Sequence, residues 1–305
     1  MAASDPHSKE EWSRSAEIYL PLETFTAQFA CAAARMLLEA LRKDAKVKNP
    51  IRVMDAAAGT GASTFALAKC LAEYCQSTGQ TAEVMATDFS DAMIEQLAAK
   101  LETPSSEPGD VQATQAAVKQ NVLKVAPSVA DAQDLSAFAD GSLSAMSMCF
   151  GIMFPPSPAT VVKEIRRVLV PGGVAVVCTW QYNSLALDLV PELAHVFMGQ
   201  PKDVELRPEV MKFGQEGFLR RLFRGELEED SEGFFKDEDI EVQFVSGTSG
   251  VKPKHISALL NVLPLSKHIG TWDEEAVEKY LLQKCGSEGT VGLKGTALML
   301  LVRKQ

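Results

Sequence analysis

From Trp12 to Lys43 the apolar residues recur at helical spacing: Trp12, Ala16, Ile18 and Tyr19, then Phe25, Phe29, Ala33, Leu37 and Leu41. Pro21 lacks an N–H and fixes φ, so the spacing predicts a short helix followed by a long one. Residues 1–11 lack this pattern and are expected to form a disordered tail. A polar connector from Lys43 to Pro50 leads into Ile51-Arg-Val-Met54, a short apolar run with a β-branched bias that predicts a buried strand. A helix is expected from Ala62 to Tyr74, ending near Gly79. A strand at Ala82–Ala86 follows, then a helix capped by Ser90 or Asp91 and running to Leu101. Next come a helix over Gln112–Val122 and a strand over Val125–Val129, where Pro127 argues for a sheet edge.

Ala145–Phe150 reads as another buried strand and Pro158–Val168 as a helix. Pro171-Gly-Gly173 reads as the turn into a strand over Val174–Trp180. Strands alternating with helices at this spacing imply an α/β fold with a doubly wound, parallel sheet. After Gln181 the regularity lapses. Helical turns over Leu185–Phe197 and a charged, glycine-bearing linker lead to an alternating strand at Ile240–Val245, helical sequence over 253–285 and a terminal strand at Thr296–Val302. The expected architecture is a Rossmann-like sheet of seven strands, mostly parallel, with a helical cap inserted late in the chain. Residues 12–180 would form the binding core with N-terminal lid helices and 181–238 the cap. Residues 239–305 would supply the last strands and a further cap helix.

The first predicted strand ends in an acid, Asp55, and passes through small residues to Gly59 and Gly61 before the helix begins. A strand turning through glycines into a helix offers backbone N–H groups and a helix N-terminus to a nucleotide-type ligand. The NAD fingerprint needs a third small residue after the second glycine, and Thr64 stands there instead. No GK[ST] follows, which excludes a Walker loop. The second strand also ends at an acid, Asp88, which a plain strand-to-helix corner does not explain.

Composition narrows the ligand class. The formal net charge is −10, from 30 Lys+Arg against 40 Asp+Glu, so the surface repels phosphate backbones and nucleic acid is not an expected partner. Six cysteines show no CxxC or Cys/His spacing, so no metal site is expected and a reducing compartment is. The N-terminus has no signal or transit character, and no apolar run approaches the roughly 18–20 residues of a membrane span. A cytoplasmic monomer or homodimer is the expectation.

Four ordered motifs then carry a resemblance. Asp55-Ala-Ala-Ala-Gly-Thr-Gly61 is similar to the D-x-G-x-G-T-G opening of class I S-adenosylmethionine-dependent methyltransferases, with Ala57 in place of the first glycine. Asp88-Phe-Ser-Asp-Ala-Met93 is similar to the second motif, D-x-S-x-x-M. Asp131-Ala-Gln-Asp-Leu135 with Asp140-Gly-Ser matches the third, although Leu143 and Ser144 depart from its end. Ile165 to Gly173 resembles the R-V-L-K-P-G-G block. Trp12, Ala16 and Tyr19 match the W-x-x-x-A-x-x-Y opening of the type 11, quinone-biosynthesis-methyltransferase-like branch.

The resemblance covers Trp12 to Trp180 and implies S-adenosyl-L-methionine as cofactor and a small-molecule methyl acceptor. It implies a cofactor-binding set of Asp55, Ala57, Gly59, Thr60, Gly61, Asp88, Phe89, Met93, Asp131, Ala132, Phe150 and Tyr19. Asp88 would accept both ribose hydroxyls through its two oxygens. Asp55 would serve the ammonium end, directly or through water, and Asp131 with Ala132 would border the adenine. A methyl group at Ala57 is expected to fit with φ < 0. Each role has a plainer alternative: Asp88 as a helix cap, Asp131 as a solvent-facing loop acid, and Tyr19 as a core aromatic.

Acceptor-facing residues are expected after the fourth and fifth strands: Met153, Phe154, Trp180 and Tyr182, rings that would suit an apolar or cationic acceptor or simply pack under the cap. Phe154-Pro-Pro-Ser157 lacks the polar first residue and final aromatic of nucleic-acid amino methyltransferases. His195, His255 and His268 are candidate bases in the cap. Cys149 and Cys178 read as strand-core residues rather than ligands for arsenite. Two further functions stay open at this point, an NAD(P)-dependent oxidoreductase and a protein that binds S-adenosylmethionine without transferring its methyl group.

Overall fold

The computed structural model describes residues 9–43, 49–105, 109–182, 189–201, 209–227, 234–261, 270–285 and 289–305. Its centre is one sheet of seven strands: β1 (Ile51–Ala56), β2 (Ala82–Asp88), β3 (Leu123–Val129), β4 (Leu143–Cys149), β5 (Leu169–Trp180), β6 (Ile240–Val251) and β7 (Val291–Arg303). The spatial order is β3-β2-β1-β4-β5-β7-β6. Strands β1 to β5 pair in parallel, and β7 lies antiparallel to both β5 and β6. The strand order reverses between β1 and β4. In an open α/β sheet the crevice beyond the carboxyl ends of the strands at such a reversal is where ligands bind.

The helices are α1 (Lys9–Tyr19), α2 (Glu23–Arg42), α3 (Ala62–Thr78), α4 (Asp91–Glu102), α5 (Asp110–Lys119) and α6 (Pro158–Val168). After β5 come α7 (Leu189–Met198), α8 (Glu216–Phe223), α9 (Pro253–Leu260) and α10 (Glu274–Cys285). Helix α1 starts at Lys9, so residues 9–11, expected in a disordered tail, are helical. Pro21 falls in the single 3-10 turn that separates α1 from α2. The anticipated stripe on α2, Phe25, Phe29, Ala33, Leu37 and Leu41, is buried along its whole length. Burying large side chains of this kind contributes about 1.5–3 kcal/mol each, which fixes α2 to the sheet despite the absence of a side-chain cap at Leu22.

Helix α4 is capped by Ser90, whose Oγ accepts the Met93 N–H at 3.3 Å. Helix α3 runs on to Thr78, and Gly79 closes it in the left-handed conformation. Pro127 lies on β3, the edge strand. The Pro171-Gly-Gly173 segment was expected to precede a strand. It is instead a bulge inside β5, where the register jumps between the Leu143↔Leu169 and Ala145↔Val174 pairs. At the bulge the Gly172 N–H donates to the Lys304 carbonyl and the Lys304 N–H to the Gly173 carbonyl, so the segment after β7 pairs with what would be a turn. The elements α7 to α10 and β6 form the late helical cap and the sheet edge. No described helix is long and apolar enough to cross a membrane.

Candidate active site

The loops that leave the carboxyl ends of β1 to β4 line one cavity of about 230 Å³, and α1 and α2 cover it. Ala57, Ala58, Gly59 and Thr60 come from the β1–α3 loop, and Asp88 and Phe89 from the end of β2. Asp131, Ala132 and Gln133 follow β3; Cys149, Phe150 and Gly151 follow β4.

Asp88 joins two of these walls. Its Oδ2 accepts the Gly59 N–H at 2.9 Å and its Oδ1 accepts the Ser90 N–H at 2.9 Å. Burial pushes its carboxyl above the ordinary carboxylate range, opposed by the N–H groups of Ser90, Gly59 and Phe89. A carboxylate has four lone-pair sites, more than these three backbone N–H groups fill, so it can still accept from a hydroxyl of a vicinal diol. Gly59 has φ +55 and nothing within 4 Å of a built Cβ, which leaves its backbone open to a ligand. These are properties a ribose and the chain attached to it require.

Ala57 departs from expectation. Its φ is +53, not negative, so a residue with a Cβ occupies the left-handed region where the resembled motif has glycine. Its methyl packs close to Gly151, where an added Cβ would lie 2.5 Å away. The β4 loop therefore yields the space that the β1 loop takes.

Asp55 and Gly61 do not reach the cavity wall. Asp55 is fully buried beneath the loop, where Oδ2 accepts from Ser63 Oγ at 2.7 Å and Thr64 Oγ1 at 2.6 Å. Its Oδ1 has no hydrogen-bond partner, and desolvation raises its carboxyl to about 6 against the two hydroxyl donors. The side chain ties β1 to the first turn of α3. Gly61, with φ +104, turns the chain into α3, and a Cβ there would come within 2.7 Å of the Phe65 ring.

Met93, Ala132 and Phe150, which the resemblance assigns to the cofactor, line the cavity. Asp131 does too: it is exposed, and its Oδ1 accepts the Gln133 N–H at 2.9 Å. Phe154 lines the cavity with its ring edge-to-face on Trp12, centroids 4.7 Å apart. Trp180, Met153 and Tyr182 do not. Trp180 stacks on Phe150 at 4.2 Å and on Phe25 at 5.4 Å, and Met153 is buried in the core. The Tyr182 N–H donates to the Gly214 carbonyl. The Trp180 ring thus packs under α2, against Phe25 and Phe29.

The candidate bases also lie elsewhere. His195 sits on α7 with Nδ1 at 2.7 Å from the Gln200 carbonyl. His255 is on α9, where burial and the neighbouring Lys254 and Lys252 lower its basicity. Neither lines the cavity. His268 and the side chain of Tyr19 lie outside the described residues.

Sequence reasoning missed the lid's contribution. Glu23, Thr26 and Ala30 of α2 face the cavity. Glu23 accepts from Lys100 Nζ at 2.6 Å and from Thr60 Oγ1, joining α2 to the β1–α3 loop and to α4. Nothing in the spacing could have shown this, because Glu23 begins the polar side of a helix whose apolar side gives the whole periodic signal.

Comparison with known proteins finds similarity over the segment that carries these loops. Residues 54–177 match the family model described as a methyltransferase domain. A demethylmenaquinone methyltransferase from Staphylococcus aureus (strain JH9) is 28% identical over 225 residues, covering 70% of this chain and 78% of that protein. Among solved structures, the YcgJ protein from Bacillus subtilis aligns with 88% of this chain and 99% of its own, at 15% identity and a TM-score of 0.46. The matched segment begins one residue before Asp55 and ends within β5, and so contains every loop from β1 to β4 that lines the cavity. Residues 54–177 carry a class I S-adenosylmethionine-dependent methyltransferase domain.

Proposed function

We propose that this enzyme transfers a methyl group from S-adenosylmethionine to an apolar, ring-bearing small molecule, with a quinol or phenol as the acceptor class. The observation that carries the acceptor is the Trp12–Phe154 pair, two rings edge-to-face on the cavity wall beside Pro155 and Pro156. Aromatic walls of this kind favour flat, apolar ligands through area burial and ring-edge contacts. The similarity to a demethylmenaquinone methyltransferase supports the same class.

Bound S-adenosylmethionine supplies an electrophilic methyl carbon on a sulfonium, and the protein must align an acceptor with it and keep water out. In this reading Asp88 holds the ribose hydroxyls, Asp131 and Ala132 border the adenine, and Gly59 and Ala57 let the backbone approach the rest of the cofactor. Phe89, Met93 and Phe150 supply apolar contact around it. Helices α1 and α2 close the cavity over the loops and exclude solvent. Residues 12–180 then carry cofactor binding, and the elements after Gln181 shape the acceptor side. Neither described histidine faces the cavity, which favours an acceptor whose own hydroxyl is acidic enough to attack without a histidine base. The six cysteines are free thiols, in keeping with a cytoplasmic location.

The test is release of S-adenosylhomocysteine across phenols, quinols, alkylamines and thiols at matched concentration. Quinols and phenols should give a kcat/KM at least tenfold above the others. An alkylamine or thiol at the head of the series would overturn the acceptor assignment.

A further inference from the structure

Three carboxylates face the cavity, Glu23, Asp88 and Asp131, and no described lysine or arginine does. They are spread along the sheet edge. Asp131 follows β3, Asp88 ends β2, and Glu23 lies against Thr60 in the loop after β1. A cofactor with its adenine at Asp131 and its ribose at Asp88 therefore points its methionyl end toward Thr60 and Glu23. That end carries an ammonium group, and a cation taken from water into a half-enclosed cavity requires an opposite charge or several acceptors. Asp55 cannot supply the charge directly: it is sealed under the loop and spends Oδ2 on Ser63 and Thr64.

We propose that Glu23, from the first turn of α2, binds the α-ammonium of S-adenosylmethionine. This rests on the cofactor placement above. The side chain is built for it. Glu23 Oε1 takes both described contacts, from Lys100 Nζ and Thr60 Oγ1, and Oε2 carries neither. Lys100 does not line the cavity, so it grips the carboxylate from outside and fixes its direction. Lys100 also donates to the Thr60 carbonyl at 2.9 Å, which locks the loop, α2 and α4 into one unit around the carboxylate. A cofactor ammonium on Oε2 would complete a carboxylate bridging two cations, and would tie the cofactor to the first turn of α2. The remaining role for Asp55 is to position the loop through α3.

The experiment compares three ligands by calorimetry on the full chain: S-adenosylmethionine, S-adenosylhomocysteine, which keeps the ammonium but not the sulfonium, and 5′-methylthioadenosine, which has neither. Glu23→Gln keeps the shape and an acceptor oxygen for Lys100 and Thr60. It should weaken the first two ligands tenfold or more and the third less than twofold, with an unchanged unfolding midpoint. Equal loss on all three, or loss with a lowered midpoint, would show that Glu23 acts only by holding the lid. Loss for S-adenosylmethionine alone would assign it to the sulfonium and overturn the ammonium role. If wild type binds none of the three, the cofactor placement itself fails. If it binds them and Glu23→Gln matches it, only the Glu23 assignment fails.

Discussion

The backbone N–H of Gly59 donates to the carboxylate of Asp88 at 2.9 Å, so the loop after β1 and the end of β2 are held as a single cradle. A ligand acceptor on Asp88 and an open backbone at Gly59 are thus placed together before any ligand arrives.

Replacing Asp88 should affect binding more than its neighbours do. Asp88→Ala removes both carboxylate oxygens proposed to accept the ribose hydroxyls, and leaves the Gly59 and Ser90 N–H groups without acceptors. Affinity for S-adenosylmethionine should fall more than tenfold, and stability by about 1–3 kcal/mol per orphaned donor. Calorimetry with urea unfolding checks both. An unchanged affinity would place the ribose elsewhere.

Asp55 makes stability depend on pH. Its carboxyl is raised from 3.8 to about 6 in the fold, so between those values the folded state binds more protons than the unfolded chain. Stability from this group is full below about pH 4 and is lost as pH rises through about 6, by up to about 3 kcal/mol at 1.36 kcal/mol per unit. Asp55→Asn should flatten that slope whatever it does to the absolute level. Urea titrations of both proteins from about pH 4 to about pH 7 read the difference, and parallel curves would refute the assignment.

Two of the three left-handed positions in the loop, Ala57 and Gly61, should respond with opposite sign. Ala57→Gly relieves a Cβ at φ +53, a cost of about 1–2 kcal/mol, against an added unfolded-state entropy of about 0.4–1 kcal/mol. The expected net is a gain of roughly 0.5–1 kcal/mol. Gly61→Ala sets a Cβ 2.7 Å from Phe65 at φ +104 and should cost about 2 kcal/mol or more. Unfolding midpoints in urea check the signs.

Two aromatic truncations should separate packing from binding. Trp180→Ala removes the stack on Phe150 and Phe25 and should destabilise the fold by about 3 kcal/mol. Phe154→Ala removes one ring of the cavity pair, worth about 0.5–1.5 kcal/mol, and should raise the acceptor KM up to about tenfold with little change in unfolding. Steady-state kinetics beside thermal unfolding distinguishes the two, and the same profile for both variants would remove Phe154 from the acceptor side.

Most of the fold is written locally. Ile51–Met54, the stripe from Phe25 to Leu41, the Ser90 cap and the edge position of Pro127 are each dictated by a few neighbouring residues, because strand alternation, helical periodicity and capping are short-range effects. The acids at Asp55 and Asp88 and the glycines between them were likewise legible, since a strand-to-helix ligand loop has a narrow residue grammar. What the sequence could not decide was which way each group faces once distant segments pack. Asp55 turned inward because Ser63 and Thr64 claimed it, Trp180 left the acceptor side because Phe25 and Phe29 covered it, and Ala57 crossed to positive φ beside Gly151. Glu23 joined the cavity only because α2 folds back over a loop that lies 37 residues later at Thr60. Such contacts depend on tertiary closure, whose energy is shared among residues far apart in the chain, and no local pattern records it.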